Sequence, residues 1–189
     1  MSAFHRLAAL ALPFTLTAAL HAQANPPAPA PAPDLSDPEV AHVAVTANSI
    51  DIDAGKFAET RTKNPAVKQF AATMITDHSA VNVQAAALAK KLGVTPADNA
   101  VSQSLQTGAA EARKNLESLH GAAFDRAYIA REVGYHQAVL DALDKLLIPT
   151  TDNAELKKLL QDVRPAIAAH LEHAKQLHAQ LAAPAKTGQ

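Results

Sequence analysis

A chain of 189 residues with a formal net charge of −1 carries no electrostatic footprint for nucleic acid, and with 4 % aromatic residues and no tryptophan it has few rings on which bases could stack. The absence of cysteine excludes disulfides, thiolate-bound zinc, iron–sulfur clusters, a thiol nucleophile and a lipid-modified cysteine anchor. A hydrophobic content of 48 % suits a globular fold, and the frequent alanines favour helix.

Residues 1–24 read as a secretory leader: Arg6 near the start, an apolar run over 7–20 broken by Pro13, then the small-x-small pattern Ala22-Gln23-Ala24, with cleavage expected after Ala24. The run is too short to span a bilayer comfortably, and no later segment is apolar for long enough. The mature chain is therefore expected to have no membrane span and to be exported, periplasmic in a Gram-negative host. Residues 25–36 are rich in Pro and Ala and read as an extended tether.

Residues 37–183 read as helices. Asp37 with Pro38 opens the first, which is expected to reach about Thr62. Asn64-Pro65 opens the second almost at once, and Gly93 closes it, so these two should be antiparallel neighbours. A shorter helix is expected over 102–119, with Leu105, Ala109, Ala112, Leu116 and Leu119 as its buried side. The third long helix should begin near Ala122 and end before Pro149. Thr150, Thr151 and Asp152 form a capping cluster, and the fourth should run over 153–183 with a bend at Pro165. Residues 184–189 are expected to be a disordered tail. No segment alternates as a strand would. The class is all-α: a ferritin-like antiparallel four-helix bundle whose long crossover between the second and third long helices carries a short extra helix.

Three helical stripes are interrupted by a histidine: Val67, Ala71, Met74, His78, Val81, Ala85, Leu88, Leu92; then Ile129, Val133, His136, Leu140, Leu143, Leu147; then Leu156, Leu160, Val163, Ile167, His170, Ala174, Leu177, Leu181. Residues three and four apart share one face, so each imidazole points where a core belongs and needs a partner there. The first helix offers carboxylates instead. Asp51 lies among Ala44, Ala47, Ala54 and Ala58, and Asp53 lies on the alternative stripe with Ile50 and Phe57. Asp77 precedes His78, Asp125 and Glu132 share the helical grid of His136, and His173 follows His170 by one turn. Gly55, inside the first helix, points to a close helix approach.

The expected metal set is therefore His78, His136 and His170, with Asp51, Asp53 or Asp77 as oxygen ligands or as groups that orient the imidazoles. A divalent ion, iron, manganese or zinc, suits imidazole and carboxylate. Met74 is the only sulfur left after the leader, which disfavours soft copper(I). The alternative is a buried polar network of the same residues that fixes helix register and binds nothing. His42, His120 and His178 read as surface or boundary residues. No nucleophile elbow or phosphate loop is present.

The segments 50–56 (Ile-Asp-Ile-Asp-Ala-Gly-Lys), 64–71 (Asn-Pro-Ala-Val-Lys-Gln-Phe-Ala), 74–78 (Met-Ile-Thr-Asp-His) and 124–128 (Phe-Asp-Arg-Ala-Tyr), with His136 and with His170-Leu171 after Pro165, resemble the DUF4142 family of exported bacterial proteins in the ferritin-like superfamily. The resemblance extends over about 40–181 and implies a ferritin-like bundle. The family usually carries glutamates where this chain has Asp51 and Asp53, and often an aspartate where it has Tyr135. The chain also lacks the Glu-x-x-His pairs of di-iron bundles. The functional expectation is an exported bundle serving metal handling or stress protection. The alternative is a structural or interaction module of the envelope, and a di-iron oxidase stands third.

Overall fold

The computed structural model describes residues 33–183. The leader, most of the tether and the tail lie outside these residues. The described residues are helical with no strand: α1 (Asp37–Arg61), α2 (Pro65–Leu92), α3 (Ala100–Glu117), α4 (Gly121–Ala142), a π-helical turn (Leu143–Leu147), α5 (Ile148–Thr150) and α6 (Ala154–Ala182). None of these helices is long and apolar enough to cross a membrane.

The boundaries follow from local chemistry. Ser36, one residue earlier than the sequence suggested, begins α1: its N–H and its hydroxyl both donate to the Glu39 carboxylate, at 2.9 and 2.6 Å. The Asp37 carboxylate is used elsewhere, accepting from the backbone N–H groups of Asp152 and Asn153, both at 2.9 Å. It thereby ties the start of α1 to the start of α6. Asn64 caps α2, accepting from Ala66 and Val67, and Gly93 ends it at a positive φ of 64°. Asn153, rather than the Thr/Asp cluster before it, caps α6.

The third long helix does not stop before Pro149. It widens into the π-turn and continues as α5 with Pro149 as its second residue, the wider turn making room for the proline ring. The hydroxyls of Thr150 and Thr151 then donate to the carbonyls of Leu146 and Leu147, at 2.8 and 2.5 Å. Pro165 does not interrupt α6, which is one helix from end to end.

α1 packs antiparallel on α2, and α4 on α6; α2 also meets α6, and α1 meets α4. α3 is the crossover. Its start is held at the N-terminal end of α1, where the Asn99 amide donates to Glu39 O at 3.2 Å, and its end lies where Arg61 donates to Glu117 O at 2.7 Å. Arg113 of α3 lies over the Phe57 ring at 3.5 Å, which fastens the crossover to α1. Gly55 answers to the expected close approach, because a Cβ there would stand 2.9 Å from Ile75 Cγ1 and 3.0 Å from the Ala71 carbonyl.

The interior has two parts. Phe57, Phe70, Met74, Phe124, Tyr128 and Ile129 fill the end of the bundle formed by the start of α2 and α4. At the other end lie Val40, Val43, Leu143, Leu147, Leu160 and Ile167, the last four of which line a cavity of about 610 Å³ whose α1 and α2 walls include several alanines. Between the two parts lie the polar residues.

Candidate metal centre

His78, His136 and His170 converge at mid-bundle. All three are buried, with ring centroids 5.3 to 5.7 Å apart, and each offers a nitrogen within 4.8 Å of the others.

The outer nitrogen of each ring has a fixed acceptor, and this sets the tautomer. The Asn48 amide donates to Ala44 O at 3.0 Å, so its Oδ1 faces His78 and accepts from Nδ1 at 2.7 Å. His136 Nδ1 donates to the Glu132 carbonyl at 2.9 Å. His170 Nε2 donates to Asp77 Oδ2 at 2.9 Å. In the neutral rings the lone pairs therefore sit on His78 Nε2, His136 Nε2 and His170 Nδ1. These three atoms are buried and have no hydrogen-bond partner among the described residues. An imidazole whose outer N–H is held by a carboxylate, carbonyl or amide, with its inner lone pair open, is arranged as a metal-binding histidine is.

Asp51 completes the set. It is fully buried, and its Oδ2 lies 2.8 Å from His78 Nε2 and 3.4 Å from His136 Nε2. Neither approach is aligned as a hydrogen bond, and Oδ2 is also without a partner. Lone pairs on nitrogen and oxygen thus face one another in a buried space, and a cation between them is the natural relief. Burial works to raise the Asp51 pKa, yet the carboxyl is held well below its usual range, and with neutral rings beside it the charge that does so is the Arg131 guanidinium at 2.9 Å. Burial pushes His136 down to about 4, against the pull of Asp51, and pushes His170 down as well, so both rings are neutral at physiological pH. Neutral imidazole is the form that binds metal.

Asp53 does not join. Two residues from Asp51, it lies nearly opposite on the helix, with its side chain 75 % exposed and 3.8 Å from Lys56. Asp77 is an orienting group, half-exposed and bonded to His170. Asp125 lies at the aromatic end, accepting from the Thr62 hydroxyl at 2.5 Å. His173 is exposed and edges the Phe70 ring at 5.1 Å. His42 is partly buried, and His120 and His178 are exposed, as the sequence suggested.

Sequence reasoning missed Arg131, Asn48 and the part Glu132 plays. Arg131 Nη1 reaches Asp51 Oδ1 at 2.9 Å and Glu132 Oε1 at 2.5 Å. Burial and the Asp51 charge push the Glu132 pKa far up, against the pull of Arg131. Tyr135 lies under the Arg131 guanidinium at 4.2 Å and donates to Ala47 O at 2.8 Å. The usable signal was Glu132 alone, a charged residue one turn before His136 on the same helix face.

A family model described as a domain of unknown function, DUF4142, matches residues 22–177. The chain belongs to the DUF4142 family. This DUF4142 chain is also similar in fold to a solved structure titled "CopM in the Cu(II)-bound form", with a TM-score of 0.59 and 16 % identity, over 78 % of this chain and 99 % of that one. No curated protein matches it.

Proposed function

We propose that this DUF4142 protein is an exported ferritin-like bundle that captures and holds a divalent transition-metal ion through His78, His136, His170 and Asp51, in the service of metal handling or stress protection in the periplasm. The observation that carries the reading is the set of three buried imidazole lone pairs and one carboxylate oxygen with nothing to bond to. Two antiparallel pairs joined by a long crossover support the ferritin-like assignment. The leader read over 1–24 supports export. Three nitrogens and one oxygen suit zinc and copper(II) better than manganese, and the copper(II)-bound fold neighbour puts copper(II) beside zinc and iron among the ions to test.

The test is a thermal melt of tag-free, chelator-stripped protein with and without zinc, copper(II), manganese or iron(II). At an ion concentration of about 100 times Kd, binding adds about 2.7 kcal/mol of stability. His170→Ala should abolish that gain while costing the metal-free protein little. A second reading is favoured by the contacts among His78, Asp51 and Arg131, which link α1, α2 and α4 without an ion. In that case the residues only fix helix register. His170→Ala then shifts stability by the same amount with and without metal, because no ion is bound whose loss could add to it. A metal-independent loss in this variant, with no gain in the parent protein, overturns the metal reading.

A further inference from the structure

Two groups of ligating atoms meet at mid-bundle. One is His78, His136 and His170. The other is Asp51, Glu132 and His136, whose atoms also lie within 4.8 Å of one another. A cluster of this form has places for two cations that share His136, with Asp51 between them.

The second place is occupied. Arg131 Nη1 stands 2.9 Å from Asp51 Oδ1 and 2.5 Å from Glu132 Oε1. The guanidinium cannot drift, because it lies on the Tyr135 ring and Tyr135 is bonded to the Ala47 carbonyl of α1. It cannot lose its charge either, since arginine is protonated throughout the working pH range. The nitrogen on that side, His136 Nδ1, lies 3.5 Å from Glu132 Oε2 but already gives its hydrogen to the Glu132 carbonyl. That place therefore has two carboxyl oxygens bound to a permanent cation and no open imidazole. The histidine side has three open lone pairs and no positive side chain.

We propose that Arg131 is the resident cation of the second position, so that the centre takes one metal ion, on the histidine side, and Asp51 turns only Oδ2 toward it. The inference rests on the metal reading above and adds to it the stoichiometry and the residue that sets it. It also bounds the chemistry. A single ion can be stored, passed on or cycled by one electron, but no second metal is present to share a bridging ligand or a substrate.

Arg131 itself is reached from outside. An opening of about 570 Å³ between α3 and α4 is lined by Gly108, Ala109, Ala112, Arg131 and Tyr135, so shortening Arg131 would admit ions to the two carboxyls.

The experiment is equilibrium dialysis of the metal-stripped full chain against zinc, and separately against copper(II), with the metal-to-protein ratio read by elemental analysis. The parent protein and Arg131→Lys, which keeps the charge, should each hold one ion. Arg131→Ala should hold two, and in the copper(II) form its electron paramagnetic resonance spectrum should show coupling between neighbouring ions. Glu132→Gln added to Arg131→Ala should return the ratio to one. If Arg131→Ala does not fold, Arg131→Gln removes the charge at nearly constant shape and is read in the same way. A parent ratio of two overturns the inference and leaves the metal reading standing. A ratio of one in both the parent and the uncharged variants overturns the role given to Arg131. A ratio of zero throughout removes the metal reading and this inference with it.

Discussion

The two ends of the bundle are built on different principles. At the end formed by the start of α2 and α4, aromatic rings fill the interior: Phe57 meets Phe124 edge-on at 5.7 Å, Phe124 stacks on Tyr128 at 6.2 Å, and Phe70 meets Tyr128 at 6.3 Å. At the other end, Ala41, Ala44, Ala47, Ala85 and Ala89 face leucines across a cavity of about 610 Å³. Every buried residue of α2 lies at or before His78, and the second half of that helix walls the cavity with side chains that stay partly exposed. The polar centre sits at the join, on a packed floor and under a roomy roof. The packed half fixes where the ligand atoms stand, and the open half leaves α2 free to adjust around them, as sites that exchange a ligand need.

The largest effect should come from attacking the floor. Phe70→Ala removes a fully buried ring and should cost about 3–5 kcal/mol in urea unfolding. Leu88→Ala, on the cavity side of the same helix, should cost less than about 1 kcal/mol, because Leu88 is only half-buried and borders empty space. Equal losses at the two positions would erase the distinction between the ends.

The join itself should answer to pH, and two of its groups work in opposite senses. His136 titrates near 4 when folded, against about 6.5 when unfolded. Between those values the unfolded chain binds the extra proton, so stability rises with pH across the window by about 3 kcal/mol. His170, also pushed down by burial, adds in the same direction. Glu132 opposes them. Its folded pKa is raised, so above about 4.5 the native state keeps a proton that the unfolded chain has lost, and stability falls as pH rises. Glu132→Gln deletes that opposing contribution. Measured in chelator from pH 4 to 8, the variant should show the steeper rise, and the parent a flattened curve. Parallel curves would mean that Glu132 is ionised in the folded protein.

The helices and the three histidines were legible because their signals are periodic and local: a three-four apolar stripe, an Asn-Pro start, a Gly stop. Asp51 and Asp53 could not be told apart, because α1 is rich in alanine and its two faces differ little in polarity. Arg131 was hidden for another reason. A basic residue beside an acidic one on a helix usually marks a solvated face. Only the approach of α1 turns it inward, since Asp51, 80 positions earlier in the chain, supplies its partner. The π-turn was likewise invisible, because Pro149 reads as a stop unless the preceding turn widens to admit its ring. The lone-pair arrangement depends on Asn48 and Asp77 as much as on the histidines, and tautomers are set by tertiary neighbours that no spacing reveals.

The smallest effect gives the sharpest test of the two ends, because it turns on a sign. Ala85 lines the cavity and is partly buried, whereas Ala71 is fully buried with its carbonyl against Gly55. Both stand on α2, on the same face, and both can be changed to leucine. Alanine and leucine differ little in helix propensity, so the backbone contribution nearly cancels. What remains is space. At Ala85 the added carbons enter empty apolar volume, and filling it should raise stability by about 0.5–2 kcal/mol. At Ala71 the same carbons meet a packed core and should cost about 1–3 kcal/mol through displaced neighbours. Urea unfolding of Ala85→Leu and Ala71→Leu should therefore show midpoint shifts of opposite direction with unchanged slopes. A loss at both positions would mean that the cavity is already filled in solution, and the contrast between a packed floor and an open roof would have to be given up.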